Sequence, residues 1–233
     1  MCGDSTKRED VERLMDGKKA DMVFTDPPYG VSIVSKTTAT VGGGGKTHFK
    51  GKVGGGNLVP ATVYSEVIGD NTTDASREHI KLCKELDIKR FIIWGGNYFT
   101  DFLNKSRCWL VWNKKYEEHK SNTFADVELA WTNYDRNAKI YNCLWRGLLK
   151  EGEHGKRQHP TQKPIKVLYE ILLDFTVDDE IIFDGFLGSG STLIACEKTN
   201  RICYGMELDP KYCDVIIKRY EDYTGNKAVK TAN

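Results

Sequence analysis

A short apolar run passes directly into a rigid polar turn at Met22-Val23-Phe24-Thr25-Asp26-Pro27-Pro28-Tyr29. The apolar residues are typical of a buried strand. Each proline fixes its own φ and biases the residue before it toward extended backbone, so the turn is stiff. Open α/β sheets bind their ligands at the carboxyl ends of strands, and we expect a ligand-facing ledge here.

The side chains of this ledge are suited to holding a planar amine. The Asp26 carboxylate and the Pro27 carbonyl can both accept hydrogen bonds from one amino group, while Tyr29 offers a face for stacking. An ordinary Pro-Pro turn with a capping aspartate is the alternative interpretation of the same four residues.

A second turn joins a buried strand to a helix at Asp184-Gly185-Phe186-Leu187-Gly188-Ser189-Gly190. Glycines at 188 and 190 let the backbone approach a ligand closely, and the helix N-terminus offers N–H groups. Leu193 fills the third glycine position of the dinucleotide fingerprint, so this is a different turn. Glu207 ends the next strand, where an acidic side chain can bind a ribose diol. Within one βαβ unit, the two features favour a nucleoside-containing cofactor; separately, each fits a purely structural turn.

Strands and helices alternate along the chain. Helical patterns cover 74–86 and start again at Pro164, Ser191 and Pro210. Strand patterns cover 22–25, 91–94, 109–112, 127–131, 181–183 and 202–206, while 133–158 looks polar and irregular. The sequence predicts one α/β domain over 1–233: a twisted, mostly parallel sheet with helices on both faces. The glycine-rich stretch 31–60 is predicted to be a long flexible loop.

Composition excludes several classes of protein. The chain has 233 residues, a net charge of +1 and a mean hydropathy of −0.50, and no apolar stretch approaches the roughly 20 residues of a membrane span. Its seven cysteines form no CxxC pair, so we expect reduced thiols, a cytoplasmic location and no metal site. Because the net charge is near zero, nucleic-acid binding would depend on two locally basic segments, 31–60 and 139–163. Solvated loops are the alternative interpretation of both.

Five motifs follow one another along nearly the whole chain: Gly3-Asp4, Asp26-Pro27-Pro28-Tyr29, Trp94-Gly95-Gly96-Asn97-Tyr98, His159-Pro160-Thr161-Gln162-Lys163-Pro164 and Phe186-x-Gly188-x-Gly190. Together they resemble the permuted (β) group of DNA amino-methyltransferases, which use S-adenosylmethionine and carry the catalytic motif before the cofactor motif. The resemblance implies a Rossmann-like S-adenosylmethionine-dependent methyltransferase fold with circularly permuted motif order.

The resemblance also implies a set of cofactor-binding residues: Asp4, Thr161, Lys163, Asp184, Phe186, Gly188, Gly190 and Glu207. The glycine turn would wrap the methionine end of S-adenosylmethionine, Glu207 would hold the ribose, and Asp4 would reach the adenine amine. Thr161 and Lys163 would lie near the methionine carboxylate. S-adenosylhomocysteine is the implied product. Gly185 stands where the family often has proline, which should loosen the turn.

Catalysis is implied at Asp26, Pro27, Pro28 and Tyr29. A target base flipped out of DNA would stack on Tyr29 while Asp26 and the Pro27 carbonyl hold its amino group. Asp at the head of the tetrad favours adenine N6 as the acceptor. Cytosine N4 methylation and a catalytically silent DNA- or cofactor-binding subunit are the alternatives. Glutamine methylation in proteins usually has Asn at this position and is disfavoured.

DNA is the implied partner, and the basic segments are where we expect contact. The candidates are Lys46, Lys50 and Lys52 in the DNA-facing loop 31–60, and Arg146, Lys156 and Arg157 in a small target-recognition region at 114–158. A reader of this size suggests a short target sequence. The resemblance points to a prokaryotic or phage-encoded protein of the cytoplasm and is compatible with a homodimer and a cognate restriction enzyme.

Overall fold

The computed structural model describes residues 1–34, 67–115, 125–146, 149–153 and 158–231. Most of the predicted loop 31–60 lies outside these residues, as do Lys46, Lys50, Lys52, Lys156 and Arg157. Arg146 is described by its backbone alone. In the described segments, no helix is both long and apolar enough to cross a membrane.

Helices and strands alternate over most of the chain. In chain order they are α1 (Arg8–Met15), β1 (Met22–Thr25), α2 (Asp74–Glu85), β2 (Arg90–Trp94), a 3-10 turn (Gly96–Tyr98), β3 (Trp109–Asn113), β4 (Val127–Thr132), β5 (Lys139–Asn142), β6 (Trp145–Arg146), β7 (Leu149–Lys150), α3 (Ile165–Phe175), β8 (Ile181–Asp184), α4 (Ser191–Lys198), β9 (Ile202–Gly205) and α5 (Pro210–Thr224).

One seven-stranded sheet has the order β5-β3-β4-β2-β1-β8-β9. Parallel pairs join β2, β1, β8 and β9, whereas β4 runs antiparallel to both of its neighbours. Strand β1 lies between β2 and β8, with Val23 opposite Phe91 and Phe183. The mostly parallel sheet is as predicted. It brings the carboxyl ends of β1 and β8 side by side, although about 160 residues separate them in sequence.

Apolar residues alternate between the two faces of the sheet, and each face has its own core. Met22 and Phe24 of β1 pack in a cluster with Val167 and Ile171 of α3. Val23 packs on the opposite face, in the cluster that contains residues of α1 and α2. Successive side chains of a strand point to opposite faces, so a strand buried on both sides contributes to both clusters. The prediction of helices on both faces of the sheet is confirmed.

Residues 133–158 are more regular than we expected. Strand β5 pairs in parallel with β3 at the edge of the sheet, and β6 and β7 form a short antiparallel pair. The interpretation of this region as irregular is therefore wrong in part. The sequence signal is weak because β5 has a single buried residue, Tyr141, between exposed neighbours. A short edge strand with one buried side chain is hard to distinguish from a polar loop.

Candidate active site

The predicted ledge follows β1, and its carboxylate is engaged on both oxygens. The Tyr29 hydroxyl donates to Oδ1 of Asp26, at 2.5 Å. The Lys163 ammonium donates to Oδ2 of Asp26, also at 2.5 Å. The Asp26 side chain is 17% exposed and the Lys163 side chain 5% exposed. Asp26 is thus an ion-paired group within the ledge rather than the cap of a turn.

Asp70 holds the ledge in place. Its Oδ1 accepts the backbone N–H groups of Tyr29 (2.9 Å) and Gly30 (3.0 Å), and its Oδ2 accepts that of Ile33 (2.7 Å). Ser76 of α2 donates to the Pro28 carbonyl at 2.6 Å. The backbone around the two prolines is therefore fixed by side chains that sequence reasoning did not single out.

The Pro27 carbonyl remains available as an acceptor. In the part of the chain that the structure describes, no hydrogen-bond donor is directed at it, although Pro27 itself lines the central cavity. A carbonyl beside a carboxylate provides two acceptors for a single amino group.

Tyr29 lies in an aromatic stack. Its ring is parallel to that of Tyr98, with centroids 4.9 Å apart and an interplanar angle of 14°. A Cβ on Gly95 would lie 2.1 Å from Cε1 of Tyr29, so only glycine permits this approach. Tyr29 therefore shares the expected stacking surface with Tyr98, a residue that is 48% exposed.

The glycine turn leaves the end of β8. Asp184 accepts the Thr25 hydroxyl at 2.7 Å and the Phe186 N–H at 3.1 Å on the same oxygen. Burial raises the pKa of Asp184 to about 6, while the hydroxyls of Thr192 and Thr25 oppose the rise. The Thr25 contact ties the end of β1 to the end of β8, which fixes the distance between the ledge and the turn.

Glu207 shapes the other side of the turn. Its carboxylate accepts the Gly188 N–H at 2.8 Å and the Asp209 N–H at 2.9 Å. Gly190 has φ +82°, a conformation that favours glycine, and it precedes α4 directly. Met1 and Gly3 pair by backbone hydrogen bonds with Glu207, which places the Gly3-Asp4 motif beside the same carboxylate.

The space left by Gly185 is filled by a histidine. A Cβ on Gly185 would lie 2.3 Å from Cε1 of His79, a fully buried residue of α2. The imidazole packs against the rings of Phe183 and Phe186 and bonds to the Ser5 carbonyl through Nδ1. Burial lowers the pKa of His79 to about 4. The departure from the family's proline thus coincides with a close contact with His79, which a Cβ at this position would not permit.

Lys163 lies between two carboxylates. Its Nζ is 3.3 Å from Oε2 of Glu128 on β4, in addition to its contact with Asp26. The other oxygen of Glu128 bonds to Lys114, so four alternating charges form a chain from the ledge to the end of β3. Burial works against the charged form of Lys163, yet Asp26 and Glu128 together raise its pKa.

The same cluster shifts the pKa values of Asp26 and Glu128 in opposite directions. Burial raises the pKa of Asp26, and the Lys163 ammonium opposes that rise. Burial also opposes ionisation of Glu128, but Lys163 and Lys114 lower its pKa below the usual value. The Lys163 charge that sequence reasoning assigned to a cofactor carboxylate is therefore paired within the protein.

The ledge and the glycine turn line one cavity of about 370 Å³. All twelve predicted catalytic and cofactor residues except Gly190 are among its lining residues: Asp4, Asp26, Pro27, Pro28, Tyr29, Thr161, Lys163, Asp184, Phe186, Gly188 and Glu207. Two segments that lie far apart in the sequence thus line the same cavity. The predicted DNA-binding residues lie outside the described side chains.

The fold and these motifs match known proteins. The family model N6_N4_Mtase, described as DNA methylase, matches residues 20–219. The chain belongs to this DNA methylase family. The curated type II methyltransferase M2.MboI of Moraxella bovis is 27% identical over 232 residues, covering 88% of this chain and 81% of that protein. M2.DpnII of Streptococcus pneumoniae is 24% identical over 239 residues, covering 89% and 84%.

Solved structures agree with this DNA methylase in fold. The M1.HpyAVI–SAM complex has a TM-score of 0.54 at 17% identity and covers 94% of this chain and 97% of its own. The cytosine-N4-specific PvuII DNA methyltransferase also has a TM-score of 0.54, at 14% identity, covering 94% and 84%. The predicted Rossmann-like methyltransferase fold and the resemblance to DNA amino-methyltransferases are confirmed.

Sequence reasoning missed four side chains of this DNA methylase site: Asp70, His79, Trp94 and Glu128. Trp94 was noted as part of a motif only; its indole Nε1 is buried without a hydrogen-bond partner among the described residues, and the residue lines the cavity. Glu128 sits on an alternating strand pattern that gave no reason to separate it from surface residues. Burial on β4 rises along the strand, from exposed Val127 to buried Ala130, Trp131 and Thr132, so it does not identify the partner of Glu128 either.

Proposed function

We propose that this DNA methylase transfers a methyl group from S-adenosylmethionine to the exocyclic N6 of a flipped-out adenine in DNA. One observation carries the proposal: the ledge with Asp26 and the glycine turn after β8 line the same cavity. A methyl donor held by the turn and an amine held by the ledge would then meet in line. Direct transfer requires chiefly positioning and electrostatics.

The residues around the turn have the chemistry that S-adenosylmethionine requires. The Glu207 carboxylate accepts backbone N–H groups of Gly188, Asp209 and Leu208, and its remaining acceptor capacity suits a ribose diol. Asp4 uses its Oδ1 for Thr6, and its Oδ2, which lies 3.9 Å from Nζ of Lys7, would accept an adenine amine. Thr161 at the cavity wall would face the methionine carboxylate. When bound, the cofactor supplies an electrophilic methyl group on a sulfonium.

Asp26 and the Pro27 carbonyl would activate the target amine. Its lone pair is delocalised into the base ring, which makes the nitrogen a weak nucleophile. If each N–H donates to one of these acceptors, the nitrogen is drawn toward tetrahedral geometry and its lone pair is directed at the methyl group. After transfer the nitrogen must lose a proton, for which Asp26 is the nearest base.

The base must leave the duplex to reach this cavity, at a cost of a few kcal/mol. We propose that the Tyr29–Tyr98 pair provides the stacking surface for it. Lys46, Lys50 and Lys52 in the loop 31–60, and Arg146, Lys156 and Arg157 in the region 114–158, are the proposed phosphate and target contacts. If these basic residues contact phosphates, DNA binding will weaken steeply as the salt concentration rises.

The proposal is tested with tritiated S-adenosylmethionine and unmethylated plasmid DNA. We expect Asp26→Ala to reduce transfer by at least 100-fold, because the amine loses its principal acceptor, while the variant stays folded and still binds cofactor. Asp26→Asn, which keeps the shape and removes the charge, serves as the matched variant. A fully active Asp26→Ala would disprove the assigned mechanism.

The acceptor base is tested separately. Duplexes in which all adenines or all cytosines of the methylated site are replaced by analogues without an exocyclic amine would accept label only through the remaining base. We expect incorporation to require adenine, and mass spectrometry of digested DNA to give N6-methyladenine. Finding N4-methylcytosine instead would correct the acceptor and leave the methylase assignment intact.

A further inference from the structure

The contact between Lys163 and Asp26 competes with the binding of a target amino group at the ledge. The ammonium occupies Oδ2 of Asp26 at 2.5 Å, and the Tyr29 hydroxyl occupies Oδ1. Each of these oxygens keeps one acceptor position, so a target amino group that bonds to Oδ2 would lie directly beside the ammonium. Methyl transfer also makes the amine nitrogen positive, and a cation held within a few ångströms would oppose that charge in a buried site.

Glu128 offers a second place for the ammonium. Its Oε2 lies 3.3 Å from Nζ of Lys163 and is buried without forming a hydrogen bond among the described residues. The indole N–H of Trp94 is likewise buried and unpartnered, and its ring centroid is 5.6 Å from the same Nζ. Glu128 therefore already holds the lysine by an ion pair that is longer than the Asp26 contact, and the Trp94 N–H is a buried donor without a partner among the described residues.

We propose that Lys163 moves from Asp26 to Glu128 when the target base enters, which makes Glu128 a positioning residue for the methyl transfer. The amino group takes Oδ2 of Asp26, and Nζ shortens its 3.3 Å contact with Oε2 of Glu128 to a full hydrogen bond. The ammonium stays paired throughout, so no uncompensated charge is left in the cavity. The inference depends on the proposed methylation of an amino group at the ledge.

The test compares single-turnover methylation rates at saturating cofactor and DNA. We expect Glu128→Gln, which keeps the shape of the side chain and removes its charge, to be at least tenfold slower than the wild type. Its affinity for S-adenosylmethionine should be unchanged, whereas its thermal unfolding temperature should fall, because Lys114 and Lys163 lose a partner charge. Glu128→Asp, which retains the charge, should recover most of the rate, a rescue that a purely structural role would not produce.

A second comparison removes the lysine. Without the ammonium, Glu128 has no charge to hold away from Asp26. Lys163→Met and the double variant Lys163→Met/Glu128→Gln should therefore have equal rates. The double variant also covers the case in which Glu128→Gln alone does not fold, because both charges leave together. A double variant tenfold slower than Lys163→Met overturns the proposal, as does a Glu128→Gln enzyme as fast as the wild type. A wild type that transfers no methyl group to DNA would instead refute the proposed function itself.

Discussion

Three backbone N–H groups of the ledge depend on one carboxylate, that of Asp70. We expect Asp70→Ala to lower the free energy of unfolding by about 2 kcal/mol or more, because buried donors lose their acceptor. The methylation rate should fall as well, since the residues next to Asp26 are no longer held. Urea unfolding and a tritium-transfer assay measure the two effects.

The control for this prediction is Asp101→Ala. Asp101 forms an ion pair with Arg77, but both side chains are exposed, so its removal should cost about 1 kcal/mol or less. If Asp70→Ala were as stable and as active as Asp101→Ala, Asp70 would not be what fixes the ledge.

At the scale of elements, helix α5 supports the glycine turn through a single arginine. Arg219 donates to the Ser189 carbonyl at 2.5 Å and to the Ser189 hydroxyl at 3.0 Å, and its Nη2 is 3.5 Å from Glu153. Glu153 also accepts the Ile165 N–H at the start of α3 and the Gln162 amide. The turn, α3 and α5 are thus joined by one network beside the cavity.

We expect Arg219→Gln to weaken cofactor binding several-fold, because the Ser189 carbonyl and the turn lose their support. The rate at saturating cofactor should change little, since Arg219 is not among the residues that line the cavity. Isothermal titration with S-adenosylmethionine and a KM-against-kcat comparison test this. Lys218→Gln changes the neighbouring residue on the same helix, whose side chain is 75% exposed, and should leave both values unaltered.

At the scale of the whole molecule, buried titratable groups set the response to acid. Burial lowers the pKa of His79 to about 4, and burial together with Lys163 lowers that of His159 to about 4. Each neutral imidazole contributes stability above pH 6.5 that is lost as the pH falls toward 4. Asp184 acts in the opposite sense: burial raises its pKa to about 6, so its contribution is lost as the pH rises through 6.

Among these three groups the two imidazoles outweigh the carboxyl group, so together they lower stability in acid; burial also raises the pKa of Asp26 and of Glu207, which acts in the opposite sense. For these three groups we expect a loss of about 2–3 kcal/mol between pH 7 and pH 5, measured by urea unfolding. His79→Asn, whose amide can replace Nδ1 at the Ser5 carbonyl, should lose about 2 kcal/mol less over the same range. An unchanged pH dependence in His79→Asn would show that this imidazole is not buried in the neutral form.

The sequence by itself determined the parts of the protein that depend on local physics. Proline geometry after an apolar run identified the ledge at Asp26, and glycine spacing before a helix identified the turn at Gly188 and Gly190. The helices starting near Pro164 and Pro210 and most strands followed from periodicity. These features can be predicted from the sequence because backbone restriction and apolar alternation act over a few neighbouring residues.

Only the tertiary structure decided which side chains meet. Lys163 contacts Asp26 across 137 residues of sequence, and Asp70 reaches Tyr29 across 41. The close approach of Gly185 to His79 and the place of Glu128 beside Lys163 depend on the order of strands in the sheet. Charge pairing and steric fit depend on residues that are neighbours in three dimensions, and no local pattern along the chain predicts them.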